Sequence, residues 1–263
     1  MYPYKIIFGM TFYDIFLAGG VVSALVIARI FADRDKAGAK LFNINLMTGA
    51  VAIGFGYCGA VVTQALYNWL DGEPFVINSS TGATFLGGLV GGVVTFLVIY
   101  FVVGHFVFPD KANLNYFPRL LDFAAVAITC AHGFGRLGCL MAGCCHGRVT
   151  DAWYGIYHIS LDAKVVPVQL FEAIFLFSLS AILAYLACKN IPGTMAIYMS
   201  VYGVWRIFAE TLRDDYRGST FVDFLTPSQL TSIVLLVLSV PIFIYTLSEH
   251  RKRKLREKSS ENK

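Results

Sequence analysis

Residues 83–107 read ATFLGGLVGGVVTFLVIYFVVGHFV, a run without one Asp, Glu, Lys or Arg. A helix needs about 20 mostly apolar residues to cross about 30 Å of hydrocarbon, so this run predicts a membrane span. Stretches of the same kind lie on either side, near 11–30, 44–70, 120–142, 168–188, 194–212 and 228–247. The composition agrees: of 263 residues, 57% are hydrophobic and 14% charged, with a mean hydropathy of +0.64. An average soluble domain carries about 25% charged residues. The low charge excludes an ordinary soluble globule, a disordered chain and a nucleic-acid binder of the basic-stripe kind, so no nucleic-acid partner is expected. The expected fold class is an all-α polytopic membrane protein with about seven transmembrane helices. Residues 1–248 are expected to form a single transmembrane helical domain, and residues 249–263 a basic cytoplasmic tail.

Lys and Arg placement predicts the orientation. The first connection carries Arg29, Arg34, Lys36 and Lys40, and the tail carries Arg251, Lys252, Arg253, Lys254, Arg256 and Lys258. The second connection, Tyr67 to Thr81, has neither Lys nor Arg but holds Asp71 and Glu73. With seven spans and the tail inside, the N-terminus is expected outside, and the odd-numbered connections fall on the positive inner side. The start, Met1-Tyr-Pro-Tyr-Lys5, does not read as a cleavable signal peptide. No internal repeat or inverted pair of broken helices is apparent, which weakens a transporter reading.

Charged side chains inside a span are costly and rare, so each is a functional candidate. In the sixth stretch, Arg206, Glu210 and Arg213 stand at i, i+4 and i+7 and share one helical face. Such a face can aim an arginine fork at an anion while the carboxylate fixes its rotamer. For Arg213 a second reading is open, in which it snorkels to water beside Asp214 and Asp215. The run from His132 to Gly147 holds five glycines around Arg136, the ingredients of an anion-binding nest beside a cation that forks onto phosphate oxygens. Gln169 and Glu172 share a face at i, i+3 at the start of the fifth span, either as site residues or as plain helix capping. The Gly87-Gly88 and Gly91-Gly92 pairs read as close helix packing and nothing more.

Three of the six cysteines fall in the glycine-rich run as Cys139-x4-Cys144-Cys145, followed by His146. A structural disulfide or packing, a reactive thiol and soft-metal ligation by Cys139, Cys144, Cys145 and His146 all remain open. No cofactor is expected. His132 and His146 are the histidines nearest the arginines in sequence.

These residues together carry a resemblance. Gly135-Arg136-Leu-Gly138 followed by Gly147-Arg148 resembles the signature of the prolipoprotein diacylglyceryl transferases. So do the Tyr202…Arg206…Glu210…Arg213 face, Pro167-x-Gln169-Leu-Phe-Glu172, the Gly87-Gly88 pair and Ser228-Gln229. The elements stand in the same order from the third span to the seventh, while Tyr13 in the first matches loosely. The resemblance implies transfer of the diacylglyceryl group of phosphatidylglycerol to the cysteine thiol of a prolipoprotein signal peptide, in the bacterial cytoplasmic (inner) membrane. It implies catalytic roles for Arg136, Arg206 and Glu210, and substrate contacts at Arg136, Gly138, Gly147, Arg206, Arg213, Gln169 and Glu172. The sequence departs from the family at Leu86, where the family has a candidate histidine base, and at Cys139, Ala142 and Cys144, where it has Asn, Asn and Glu. His132 and His146 are the candidates to replace that base. A non-catalytic or redox- and metal-handling protein on the same scaffold is the competing reading.

Overall fold

In a computed structural model that describes residues 4–7, 9–78, 80–213 and 225–261, seven α-helices form the protein. They are α1 (Phe12–Arg34), α2 (Ala39–Leu70), α3 (Phe85–Val107), α4 (Ala112–Ala142), α5 (Val168–Cys188), α6 (Thr194–Glu210) and α7 (Pro227–Glu261). Each coincides with one expected span, and the fold is all-α and polytopic. Six are long and apolar enough to cross a membrane. The exception is α6, whose 17 residues rise only about 25 Å. At the other extreme α7 runs on to Glu261, well past the apolar stretch that marked it. Lys, Arg and Glu are good helix formers, so the helix outlasts the hydropathy signal.

The chain divides into two compact units, one of residues 32–117 and the other of the residues before and after it. In the first, α2 and α3 touch backbone to backbone. A Cβ added to Gly59 would meet the Gly87 carbonyl oxygen at 2.8 Å, and one on Gly56 the Gly88 carbonyl at 3.0 Å. The glycine pairs of 87–92 are therefore packing residues, and Gly56 and Gly59 are their partners on α2. Tyr100 is fully buried and donates to the Asn113 carbonyl at 2.7 Å.

In the other unit, α4 is the element on which the site is built. Near its start, Asp122 is buried and accepts the backbone N–H groups of Gly193 (3.1 Å) and Thr194 (3.2 Å), with Arg119 beside it at 3.6 Å. A carboxylate from α4 thus caps the N-terminus of α6, where orphan N–H groups and the helix dipole favour negative charge. Gly20 of α1 would place a Cβ 3.0 Å from the Ala131 carbonyl, so α1 also lies close against α4. Ser180 of α5 donates to the Val126 carbonyl at 3.1 Å, and Ser200 of α6 bonds Ser239 of α7 at 2.8 Å.

Among the described residues there are also two short antiparallel hairpins: β1 (Lys5–Ile7) with β2 (Met10–Thr11), and β3 (Ile156–His158) with β4 (Ala163–Val165). The second one anchors the segment after α4. Gly147 N–H donates to the Val166 carbonyl at 2.8 Å, Val166 N–H to the Arg148 carbonyl at 2.9 Å, and Thr150 N–H to the Lys164 carbonyl at 2.9 Å.

Candidate active site

Arg136 on α4, Glu172 on α5 and Arg206 on α6 meet in the protein interior. Arg136 Nε lies 3.1 Å from Glu172 Oε2, and Arg206 Nη1 lies 3.6 Å from the same oxygen. The second carboxylate, Glu210, pairs with Arg206 Nη2 at 3.4 Å, and the Ser228 hydroxyl at the start of α7 accepts from that nitrogen at 2.9 Å. Tyr202, one turn before Arg206, donates its hydroxyl to Glu172 Oε1 at 2.9 Å. Glu172 is 0% exposed and Arg206 6%. Four helices contribute, and Glu172 joins three of them, α4, α5 and α6.

The local sequence makes this possible. Arg206 and Glu210 are one turn apart, so the carboxylate fixes the guanidinium from its own helix. His132 and Arg136 have the same spacing on α4, and the His132 ring meets Tyr202 edge-on with centroids 5.0 Å apart. Trp205 stacks on Phe175 of α5 at 4.2 Å, which ties α6 to α5 beside the ion pairs.

The ion pairs are close in distance without hydrogen-bond alignment. Arg206 Nη1, Glu172 Oε2 and Glu210 Oε2 are buried, and none makes a hydrogen bond among the described residues. Two arginines and two glutamates sum to zero formal charge, which tempers the cost of burying them. Arg206 Nη1, which makes no hydrogen bond among the described residues, can still donate to an incoming anionic oxygen.

Gln169 is fully buried and donates from Nε2 to the Cys144 carbonyl at 2.6 Å. Neither Gln169 nor Glu172 caps α5, whose N-cap is Pro167 without any side-chain hydrogen bond, so the capping alternative is set aside. Gly138 lets Tyr13 of α1 approach: a Cβ there would lie 3.1 Å from the tyrosine ring. Gly147 admits the segment just after α6, since its Cβ would meet the Leu212 carbonyl at 2.6 Å and Val166 and Val168 at 2.8 Å. Arg213 is buried, whereas Asp214 and Asp215 lie outside the described residues. His146 is not drawn to the arginines. Its Nδ1 lies 2.8 Å from the Gly147 carbonyl and its ring packs against His158, centroids 4.6 Å apart. Cys139, Cys144 and Cys145 do converge, and none of the cysteines is in a disulfide.

Two features were beyond sequence reasoning. Glu172 stood out as a polar residue, but its place between two arginines depends on how three helices approach. Its one available signal was isolation, as the only acidic residue between 163 and 209. The acceptor of Gln169 is a backbone oxygen, and no side-chain pattern encodes it.

Residues 4–245 match the model of the family described as prolipoprotein diacylglyceryl transferase. The chain is similar to a phosphatidylglycerol–prolipoprotein diacylglyceryl transferase 2 of Clostridium perfringens, 30% identical over 258 residues, which cover 94% of this chain and 95% of that one. It is also similar to the phosphatidylglycerol–prolipoprotein diacylglyceryl transferases of two Dehalococcoides mccartyi strains. One is 31% identical over 261 residues (94% and 92% of the two chains), the other 32% over 252 (91% and 90%).

Proposed function

The chain belongs to the prolipoprotein diacylglyceryl transferase family, and from that membership we infer that it moves the diacylglyceryl group of phosphatidylglycerol onto the cysteine thiol of a prolipoprotein signal sequence. The reaction needs a thiolate as nucleophile. A C–S bond forms at the glyceryl carbon while its C–O bond to phosphate breaks, and glycerol phosphate leaves with the bonding pair. Negative charge grows on that leaving group, so preorganised donors aimed at it lower the barrier.

Arg136 and Arg206 are those donors in this reading. The observation that carries it is that arginines from two helices share Glu172, with Arg206 Nη1 left without a hydrogen bond among the described residues. Glu172 and Glu210 hold the guanidinium groups in place, and Tyr202 holds Glu172. Arg213, Gln169, Gly138 and Gly147 support the substrate from the surrounding shell. With Leu86 where the family has histidine, His132 takes the thiol proton, because it stands one turn from Arg136 against Tyr202. His146 is the less favoured base, since its ring is engaged with His158 and Gly147.

The protein works in the bacterial cytoplasmic membrane with its N-terminus outside, its basic tail inside and the site in the outer half. Residues 1–248 act as one membrane domain, followed by the tail. The test is to incubate the purified chain with labelled phosphatidylglycerol and a signal peptide bearing its acceptor cysteine. A thioether-linked label is expected. Its absence, where a typical family member succeeds, would refute the reading.

A further inference from the structure

Cys139 stands one turn beyond Arg136 on α4, and Cys144 and Cys145 follow in the loop. The three Sγ atoms lie within 4.8 Å of one another. Side chains of adjacent residues ordinarily diverge, which makes a vicinal pair awkward to aim at one point. Here Gly143 (φ +74°) and Cys145 (φ +61°) both take left-handed backbone, and the chain folds back over the helix end so that the pair faces Cys139. A left-handed cysteine persists only where its surroundings hold it.

Those surroundings are specific. His158 on β3 donates from Nε2 to the Gly143 carbonyl at 2.7 Å, Gln169 on α5 donates to the Cys144 carbonyl at 2.6 Å, and Cys144 N–H donates to the Cys139 carbonyl at 3.2 Å. The backbone between the thiols is thus fixed from three elements. A disulfide would use only two of the sulfurs and would not explain why all three converge.

We propose that Cys139, Cys144 and Cys145 form a three-sulfur site for a thiophilic d10 cation, Zn2+ or Cu+. With Zn–S bonds of about 2.3 Å, tetrahedral geometry separates ligand sulfurs by about 3.8 Å, so a small side-chain adjustment closes the cluster around an ion. Mg2+ and Ca2+ are disfavoured because they take oxygen ligands. Three thiolates around Zn2+ leave one net negative charge and a fourth coordination position, and Arg136 on the same helix offsets that charge. His146 follows Cys145 directly but is turned toward His158, outside the cluster.

The test uses the full chain, purified in detergent under reductant and without oxygen, loaded with Zn2+ or Cu+, desalted and assayed for metal by elemental analysis. About one ion per chain is expected, lost in Cys139→Ser and Cys144→Ser and retained in Cys58→Ser and Cys188→Ser. Since a serine variant that unfolds would also lose metal, a Cd2+ titration of the unsubstituted chain provides a second readout. Its sulfur-to-metal charge-transfer absorption should saturate at about one equivalent. The proposal fails if the unsubstituted chain retains no metal and shows no saturating band, or if the serine variants hold as much metal as the parent. It fails equally if mass spectrometry of the anaerobic protein finds two of the three thiols joined.

Discussion

Glu172 carries one negative charge between two guanidinium groups and accepts the Tyr202 hydroxyl, all with no exposure to solvent. Removing the shared anion leaves the buried Arg206 and the largely covered Arg136 without their common counter-ion, and breaking a buried pair costs about 3–5 kcal/mol. Glu172→Gln keeps the shape and loses the charge, so it should lower thermal stability in detergent and abolish transfer together. Arg136 makes a second prediction. Lysine preserves its charge but not its planar fork, so Arg136→Lys should lose transfer by about 100-fold, nearly as much as Arg136→Ala. Initial rates with labelled phosphatidylglycerol distinguish the cases, and near-normal turnover by lysine would mean that a point charge suffices. At this scale the sequence was informative where charge stood in an apolar run: Arg136, Arg206 and Glu210 were legible for that reason. The partners of Gln169 and His158 were not, because both donate to backbone carbonyls.

Helices were legible because each span repeats one simple requirement, an apolar run of sufficient length. Their ends were less so, and α7 continues to Glu261 on charged helix formers. The β3–β4 hairpin was invisible, since three-residue strands are too short to show an alternating pattern. Yet this hairpin ties down the segment that follows α4, and Gly147 is where that segment touches the residues just after α6. A side chain there has no room beside the Leu212 carbonyl, Val166 and Val168. Gly147→Ala should therefore shift the loop and cost about 1–3 kcal/mol, read as a lower melting temperature. The corresponding substitution at Gly135, inside α4 and where an added Cβ meets nothing within 4 Å, should not lower the melting temperature and should raise it slightly, since Ala is the better helix former.

For the whole molecule, we propose from the distribution of Lys and Arg that the N-terminus lies outside and the C-terminal tail inside. A reporter fused to the C-terminus should be active only as a cytoplasmic probe, and a periplasmic readout would invert the orientation. The same apolar molecule places guanidinium groups from α4 and α6 on one carboxylate, and the proposed function requires that they act together on one lipid phosphate. If they do, their contributions are coupled rather than independent. The direct measurement is the transfer rate from phosphatidylglycerol for the parent, Arg136→Lys, Arg206→Lys and the double variant. The prediction is that either single change removes most of the rate and the second adds little. Two effects that multiply independently, or a single variant that keeps near-parental turnover, would contradict it.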